Sequence, residues 1–309
     1  MSQEKNNIET ATLFQKTLDE LAVKTLKTGF MDENIKNIKY NGGAEVKIPD
    51  VDTSGLADYD RETGYVKGGV NVTYETLKLT QDRGRKFYLD PMEVDESNFV
   101  ATVGNVLLKF QNDYVNPEID AYRISKLATA AMGVSDDTNA RYEYVVNGDV
   151  IKEIKKGIKI IRENGANGEL FIMSSYDTLE AVEEVSLGKL QSVTFNQGGI
   201  DTRVPSIDGC PIISLPSNRL YTSLKLNDGT TSGQEKGGYV KGEQSKNINF
   251  LIVERSVPKA VTKQDKIRIF DPNIVQDLNA WQLDYRRFHD LWVLKRDLGK
   301  IYVNIKESK

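Results

Sequence analysis

The chain has 309 residues, of which 39% are hydrophobic, 28% charged and 8% aromatic. That is enough core material for about two domains, and it excludes global disorder. Lys and Arg number 41 against 45 Asp and Glu, a net charge of -4, so no basic excess marks a dedicated nucleic-acid binder. The single cysteine, Cys210, and single histidine, His289, rule out an intramolecular disulfide, a Cys-x-x-Cys metal site and any site needing two imidazoles.

The longest purely aliphatic or aromatic run, Phe250 to Val253, falls far short of the roughly 20 residues of a membrane helix. The first seven residues are polar and lack the apolar stretch of a secretory signal, so the expectation is synthesis and use in a reducing cytoplasm.

From Glu9 to Leu26 the residues Leu13, Phe14, Leu18, Leu21, Ala22 and Leu26 recur at helical spacing, which predicts an amphipathic helix ended by Gly29 and Phe30. The segment 32–86 then contains no Phe, Trp or Met and is punctuated by glycine. Alternation at Ala44, Val46, Ile48 and again at Val70, Val72, Tyr74 predicts two strands flanking an acidic stretch, Asp50 to Glu62. A lone two-stranded ribbon is marginal in water. The hairpin must therefore lie on something else, either its own domain or a neighbour.

Asp90-Pro91-Met92-Glu93 reads as a helix start, with an Asp cap, Pro at the first position and Glu three residues after the cap. Phe99, Val103, Val106, Leu107, Phe110 and Tyr114 continue an apolar stripe, and Ile119, Tyr122, Leu127 and Ala131 resume it after Pro117. This predicts one very long helix, roughly 50 Å or more at ~1.5 Å per residue, bent at Pro117 and stopped at Gly133.

Further along, Asn147 to Gly165 predicts a helix with Ile151, Ile154, Ile158 and Ile161 on one face and solvated Lys152, Lys155, Lys156 and Lys159 beside them. Leu170 to Met173 reads as a buried strand, Ser174 to Asp177 as the opening of another helix, and Asp208-Gly209 as a turn before the strand Cys210 to Leu215. Residues 227–246 read as an exposed Gly-, Ser- and Lys-rich loop. Asn249 to Val253, Arg268 to Pro272, Trp281 to Leu294 and Lys300 to Ile305 follow, several with strand character. Helix, strand, helix in the middle of the chain indicates an α/β layer.

Little in this order carries chemistry. Asp50-Val51-Asp52-Thr53-Ser54-Gly55 begins like a calcium loop, but the twelfth position, where a bidentate Glu belongs, is Arg61. No dinucleotide fingerprint, Walker A or nucleophile elbow occurs. His289 reads as a structural or surface histidine and Cys210 as a small buried hydrophobe. The expectation is no catalytic residue, no metal and no cofactor. Arg83, Arg85 and Lys86 form the tightest basic cluster, placed on the return arm of the hairpin, and a protein contact suits them better than nucleic acid in so acidic a chain.

Three segments carry a family resemblance. Val115-Asn116-Pro117-Glu118-Ile119-Asp120-Ala121-Tyr122-Arg123 resembles the long "spine" helix of the major capsid proteins of tailed bacteriophages, the Hong Kong-type capsid fold. Ile207-Asp208-Gly209-Cys210-Pro211-Ile212-Ile213 followed by Pro216 is similar to that family's G-x-P-I strand pair. Arg268 to Pro272, with Tyr285 to Leu294, resembles its C-terminal region. The resemblance implies an α+β fold with an N-terminal arm (1–40), an extended β-hairpin loop (41–90), a peripheral domain with the spine helix (91–146 and 255–292) and an α/β axial domain (147–254 and 293–309).

It further implies a non-enzymatic shell subunit that assembles into pentamers and hexamers around packaged double-stranded DNA, through a precursor that expands. The expected location is the virion, assembled in the bacterial host cytoplasm. Residues expected at inter-subunit contacts are Arg61, Lys67, Arg83, Arg85, Lys86, Glu118 and Arg123. About forty residues precede the hairpin, so a separate scaffolding protein is expected, together with a portal, and no membrane partner. Lys67 on the loop is a position for a Lys-to-Asn crosslink, which is not expected to form. Two other readings stay open: an encapsulin-like protein compartment, and a monomeric carboxylate hydrolase or carbohydrate-binding protein.

Overall fold

The computed structural model describes residues 26–37, 45–90, 92, 103–134, 138–187, 189–197, 199–272, 275 and 278–309. The expected helix from Glu9 to Leu26 and the first turns of the long helix lie outside the described residues, although Met92 N–H does donate to Asp90 Oδ1 at 2.9 Å, as a cap would.

The centre of the molecule is a seven-stranded mixed sheet in the order β4-β14-β11-β5-β8-β7-β6, formed by β4 (Ala140–Arg141), β5 (Leu170–Ser175), β6 (Gln191–Gln197), β7 (Ile200–Ile207), β8 (Cys210–Leu215), β11 (Ile248–Glu254) and β14 (Ile301–Ile305). Its inner strands are buried on both faces, which is why they read as continuous apolar runs. Phe171, Met173, Leu251, Val253, Ile301 and Val303 point to one face, where the end of the long helix supplies Ile124, Leu127, Ala128 and Ala131. Leu170, Ile172, Phe250, Ile252 and Tyr302 point to the other and meet Val150, Ile154, Ile161 and Val182 of helices α3 (Val150–Glu163) and α4 (Tyr176–Ser186). Each such side chain contributes about 1.5–3 kcal/mol.

The turn between β7 and β8 has positive φ at both Asp208 (51°) and Gly209 (78°), the mirror-image turn that the Asp-Gly dipeptide favours. Ser175 caps α4 by accepting from Thr178 N–H at 3.2 Å, within the Ser174 to Asp177 stretch expected to open this helix. Gly157 lets α3 sit directly on the sheet, since a Cβ there would lie 2.7 Å from Tyr302 Cδ1.

The long helix runs unbroken from α1 (Val103–Phe110) through a π-turn, Gln111–Val115, into α2 (Asn116–Met132). Pro117 was expected to bend it. The wider π-turn immediately before the proline supplies the accommodation: Asn116 N–H bonds Gln111 C=O, so the ladder is already re-registered where the ring would crowd it. Against α1 lies a second sheet, β12-β13-β3, made of β3 (Gln81–Leu89), β12 (Lys259–Phe270) and β13 (Trp281–Trp292). Leu107 packs there on Leu283, Phe87 and Ile269.

Two expectations are corrected. The hairpin β1 (Glu45–Thr53) with β2 (Val70–Lys78) ends at Lys78. Residues 81–89 leave it to pair with β13, because alternating Phe87 and Leu89 find apolar partners on α1. The basic cluster therefore sits on an edge strand of the second sheet and not on the return arm. The segment 227–246 is not simply an exposed loop, since Tyr239–Lys241 (β10) pairs with Leu224–Leu226 (β9) and its carbonyls bind Arg83 and Arg85. Ala140–Arg141 pairs in parallel with β14 and so joins the central sheet.

Candidate functional site

The hairpin is fastened chiefly at its base, with Asp50 further out 3.9 Å from Arg296. Val46, Ile48, Leu77 and Leu79 pack on Val261, Phe288 and Trp292. The Trp292 indole N–H donates to the Lys78 carbonyl at 3.0 Å, and Lys295 N–H to a Glu75 carboxylate oxygen at 3.3 Å. Beyond this anchor the nine-pair ladder continues outward. Opposed residues of an antiparallel pair share a face, and the register sorts them. Pro49 with Tyr74, Val51 with Val72 and Thr53 with Val70 make one face, while Asp50 with Thr73 and Asp52 with Asn71 make the other.

The first of these faces is apolar and open. Val51 is 56% exposed, Tyr74 66% and Val70 70%. At the tip Leu56, Tyr59, Tyr65 and Val66 are also exposed, with the two tyrosine rings packed edge to face at 4.8 Å. The tip is nonetheless ordered by its own hydrogen bonds. Asp60 Oδ1 accepts from Glu62 N–H at 2.7 Å and Thr63 N–H at 2.8 Å. The Thr63 bond, then the Glu62 bond, holds the Asp60 carboxyl below the usual carboxylate range.

A second feature is a cleft of about 530 Å³ between the long helix, β3 and the 227–238 segment. Arg83 closes its floor. Its Nε and Nη2 donate to both oxygens of Glu118 at 2.8 and 3.0 Å, and its remaining donors reach the Asn227 and Gly238 carbonyls at 2.7 and 3.2 Å. This planar fork is what arginine and not lysine provides. Arg85 donates to the Glu235 carbonyl at 2.9 Å. Phe87, Phe110 and Tyr114 form an aromatic wall, with Phe87 and Phe110 4.9 Å apart.

Deeper in the chain a polar knot holds the segment after residue 25 to the long helix. Asp120 is fully buried and accepts from Lys27 N–H, from Thr28 N–H and Oγ1, and from Arg219 Nη1. Arg123, also fully buried, donates to the Thr28 carbonyl at 2.9 Å and to both Asp32 oxygens at 3.0 and 2.6 Å. Phe30 and Met31 then enter the main core. A polar Asp and Arg three apart on an otherwise apolar helix face was the available signal for this knot; nothing in the sequence pointed to Thr28 or Arg219.

The seven expected contact residues thus separate. Arg61 and Lys67 are exposed on the hairpin tip. Lys86 is exposed and lies 5.8 Å over the Tyr88 ring. Arg85 is exposed at the cleft mouth. Arg83 and Glu118 bond each other, and Arg123 is buried and bonds Thr28 and Asp32 of its own chain: a charge taken from water needs partners.

His289 is buried against Tyr122, ring centroids 5.8 Å apart. Burial, aided by nearby Arg287, Arg123 and Arg83, pushes its pKa down to about 2, so the imidazole is neutral. Burial raises the Cys210 thiol. Among the described residues no group of three or more His, Cys, Asp or Glu side chains is gathered to hold a metal, and no helix is long and apolar enough to cross a membrane. Asp50 and Asp52, the start of the calcium-like motif, lie in an extended strand.

No protein-family profile matches the chain, and no curated protein sequence does. Solved structures do. The chain is similar to that in the asymmetric unit of the bacteriophage PhiM1 mature capsid, with TM-score 0.58 and 10% identity, covering 86% of this chain and 82% of that one. It is similar to a chain of the capsid structure of the cyanophage P-SCSP1u, with TM-score 0.55 and 12% identity over 85% and 83%. A chain from Mycobacterium phage Che8 gives 0.54 and 13% over 86% of each. Sheet, long helix and hairpin together therefore form the fold of tailed-phage major capsid proteins, as the sequence motifs implied.

Proposed function

We propose that the chain is a major capsid protein: a non-enzymatic subunit that self-associates into the pentamers and hexamers of an icosahedral phage head. The observation that carries this reading is the hairpin with one open apolar face. A ribbon of two strands gains too little from its own pairing to stand in water, and exposed apolar patches of this kind mark interaction surfaces. In a closed shell each hairpin lies across the adjacent subunit through a heterologous contact that rotation closes. Many modest contacts then sum through multivalency.

On this reading the central-sheet region surrounds the five-fold and six-fold axes and the second sheet forms the periphery. Arg61 and Lys67 meet a neighbour. Packaged DNA is held by non-specific contact. A separate scaffolding protein and a portal take part, and the shell matures by expansion inside the bacterial cytoplasm before it ends in the virion. The test is electron microscopy of the overexpressed protein, alone and with the products of neighbouring genes. Closed shells are expected, and a protein that stays monomeric at every concentration and with every partner refutes the reading. Denaturing electrophoresis of mature particles is expected to give monomer at about 35 kDa, without a crosslink.

A further inference from the structure

The cleft beside the long helix holds hydrogen-bonding capacity that the subunit does not use. Tyr285, Arg287 and His289 alternate along β13 and so share the face on which Leu283 meets Leu107 of α1. All three line the cleft. Tyr285 Oη, Arg287 Nε and His289 Nδ1 are buried and have no hydrogen-bond partner among the described residues, and Tyr285 and His289 are only 5% and 4% exposed. Buried polar atoms in native proteins are overwhelmingly satisfied, so three on one row call for a partner that the chain does not supply. A guanidinium N–H donates, while a hydroxyl and a neutral imidazole can donate or accept, which is the mixture that the edge of a nucleobase meets.

Across the cleft stands an aromatic wall. Phe110 lies edge-on to Phe87 and Tyr285 at 4.9 and 5.7 Å, and the half-exposed Tyr114 ring stacks on Phe110 at 6.1 Å. Tyr114 belongs to the π-turn Gln111–Val115, a rare distortion that recurs at functional sites. The charges inside are mostly matched: Arg83 by Glu118, Arg287 by Asp265 and Asp82 by Arg286. Asp228 is occupied by its own turn, accepting from Thr230 N–H and from Thr231 N–H and Oγ1. The exposed Arg85 and Lys236 line the mouth and make no ion pair among the described residues, so two cations remain for an anion. A cavity of about 530 Å³ lies within the ~300–1,000 Å³ range of small-molecule sites.

We propose that this cleft binds a nucleotide, its base on the Phe110 and Tyr114 rings with one edge toward the Tyr285, Arg287 and His289 row, and its phosphate at Arg85 and Lys236. Every base has a π-face, so stacking tolerates any of them, and the two cations add charge-assisted bonds to the phosphate. The site lies within one subunit and stands or falls apart from the shell reading. A free nucleotide and a nucleotide of a single strand share this chemistry.

The experiment is isothermal titration calorimetry of the purified full-length subunit with deoxyadenosine monophosphate, deoxyadenosine and deoxyribose 5-phosphate. Expected is one site per chain, with the nucleoside and the sugar phosphate each bound about tenfold or more weakly than the nucleotide. Arg85→Ala with Lys236→Ala is expected to bring the nucleotide down to the affinity of the nucleoside and to leave the nucleoside unchanged. Tyr114→Ala is expected to weaken both about fivefold or more. If a variant fails to fold, saturation-transfer NMR on the wild type decides: adenine protons saturated more strongly than sugar protons support a buried base, and the reverse overturns it. A 5′-phosphorylated single-stranded decamer separates the sources: tighter binding than the mononucleotide assigns a strand, weaker binding a free nucleotide, and either supports the site. No binding to the wild type overturns the proposal, since water alone then meets the polar row. Binding unchanged in both variants overturns it as well, by placing the nucleotide elsewhere.

Discussion

Arg123 shows what a buried charge demands. It is 0% exposed, and its two terminal nitrogens find acceptors in the Thr28 carbonyl and the Asp32 carboxylate, while Nε has no partner among the described residues. Replacing it by methionine roughly keeps the volume, leaves the Thr28 carbonyl with Met31 N–H as its donor, and strips Asp32 of its guanidinium partner. We expect Arg123→Met to lower the stability of the isolated subunit by about 2–3 kcal/mol, read as a shift in the denaturant midpoint. An unchanged midpoint with impaired assembly would instead place Arg123 at an interface. His289 makes a second residue-scale prediction. Its folded pKa lies well below the unfolded value near 6.5, so the native state refuses a proton that the unfolded chain accepts. The stability it permits is fully present above pH ~6.5 and is lost as pH falls toward 2, at up to about 1.4 kcal/mol per pH unit. A His289→Gln variant should show a correspondingly shallower loss between pH 6 and 4 in denaturant titrations.

Among the elements, α3 and the hairpin make opposite cases. α3 is held by close approach: a methyl at Gly157 would meet Tyr302 and Ile252 at 2.7 and 2.9 Å. Gly157→Ala is therefore expected to cost about 1–3 kcal/mol from overpacking even though alanine is the better helix former by ~1 kcal/mol; thermal melts of the isolated subunit would reveal it. The hairpin is held by little. Val51→Lys with Val72→Lys should leave subunit stability within about 0.5 kcal/mol, as surface changes do, and yet abolish assembly, because the altered side chains are needed only by a partner. Loss of subunit stability in that variant would mean that the apolar face is covered within its own chain. The π-turn at Gln111–Val115 belongs to this scale as well. The sequence announces Pro117, but whether a helix answers proline with a kink, a break or a widened turn depends on what its flanks pack against.

The whole molecule combines a well-packed body with a projecting ribbon, and their exchange behaviour should differ accordingly. In the isolated subunit the distal hairpin amides, 50–53 and 70–74, are expected to exchange quickly while β5, β11 and β14 stay protected. In shells the distal hairpin should become slow. Equal rates in the two states, measured by hydrogen exchange with mass spectrometry, would remove the argument that a neighbour completes it.

How much of this was legible in the chain follows from the range of the forces. Helical spacing in 147–165, the apolar runs at 170–173 and 249–253, the Asp-Gly turn at 208–209 and the capping serine at 175 are local patterns, so the sequence announces those elements directly. Pairing of β3 with β13, which lie about 200 residues apart, is not local. Neither is the meeting of Arg83 with Glu118, of Arg123 with Asp32, or of Arg219 with Asp120. A charged residue looks the same in sequence whether it meets water, its own chain or a neighbour, and only the fold decides by excluding solvent from one place and leaving it at another. By itself the sequence determined the helices at 147–165 and after Ser175, the buried strands and the two strands of the hairpin. The tertiary structure alone decided which charges pair within the chain and which stay exposed, because burial is a property of the folded surface and not of any single segment.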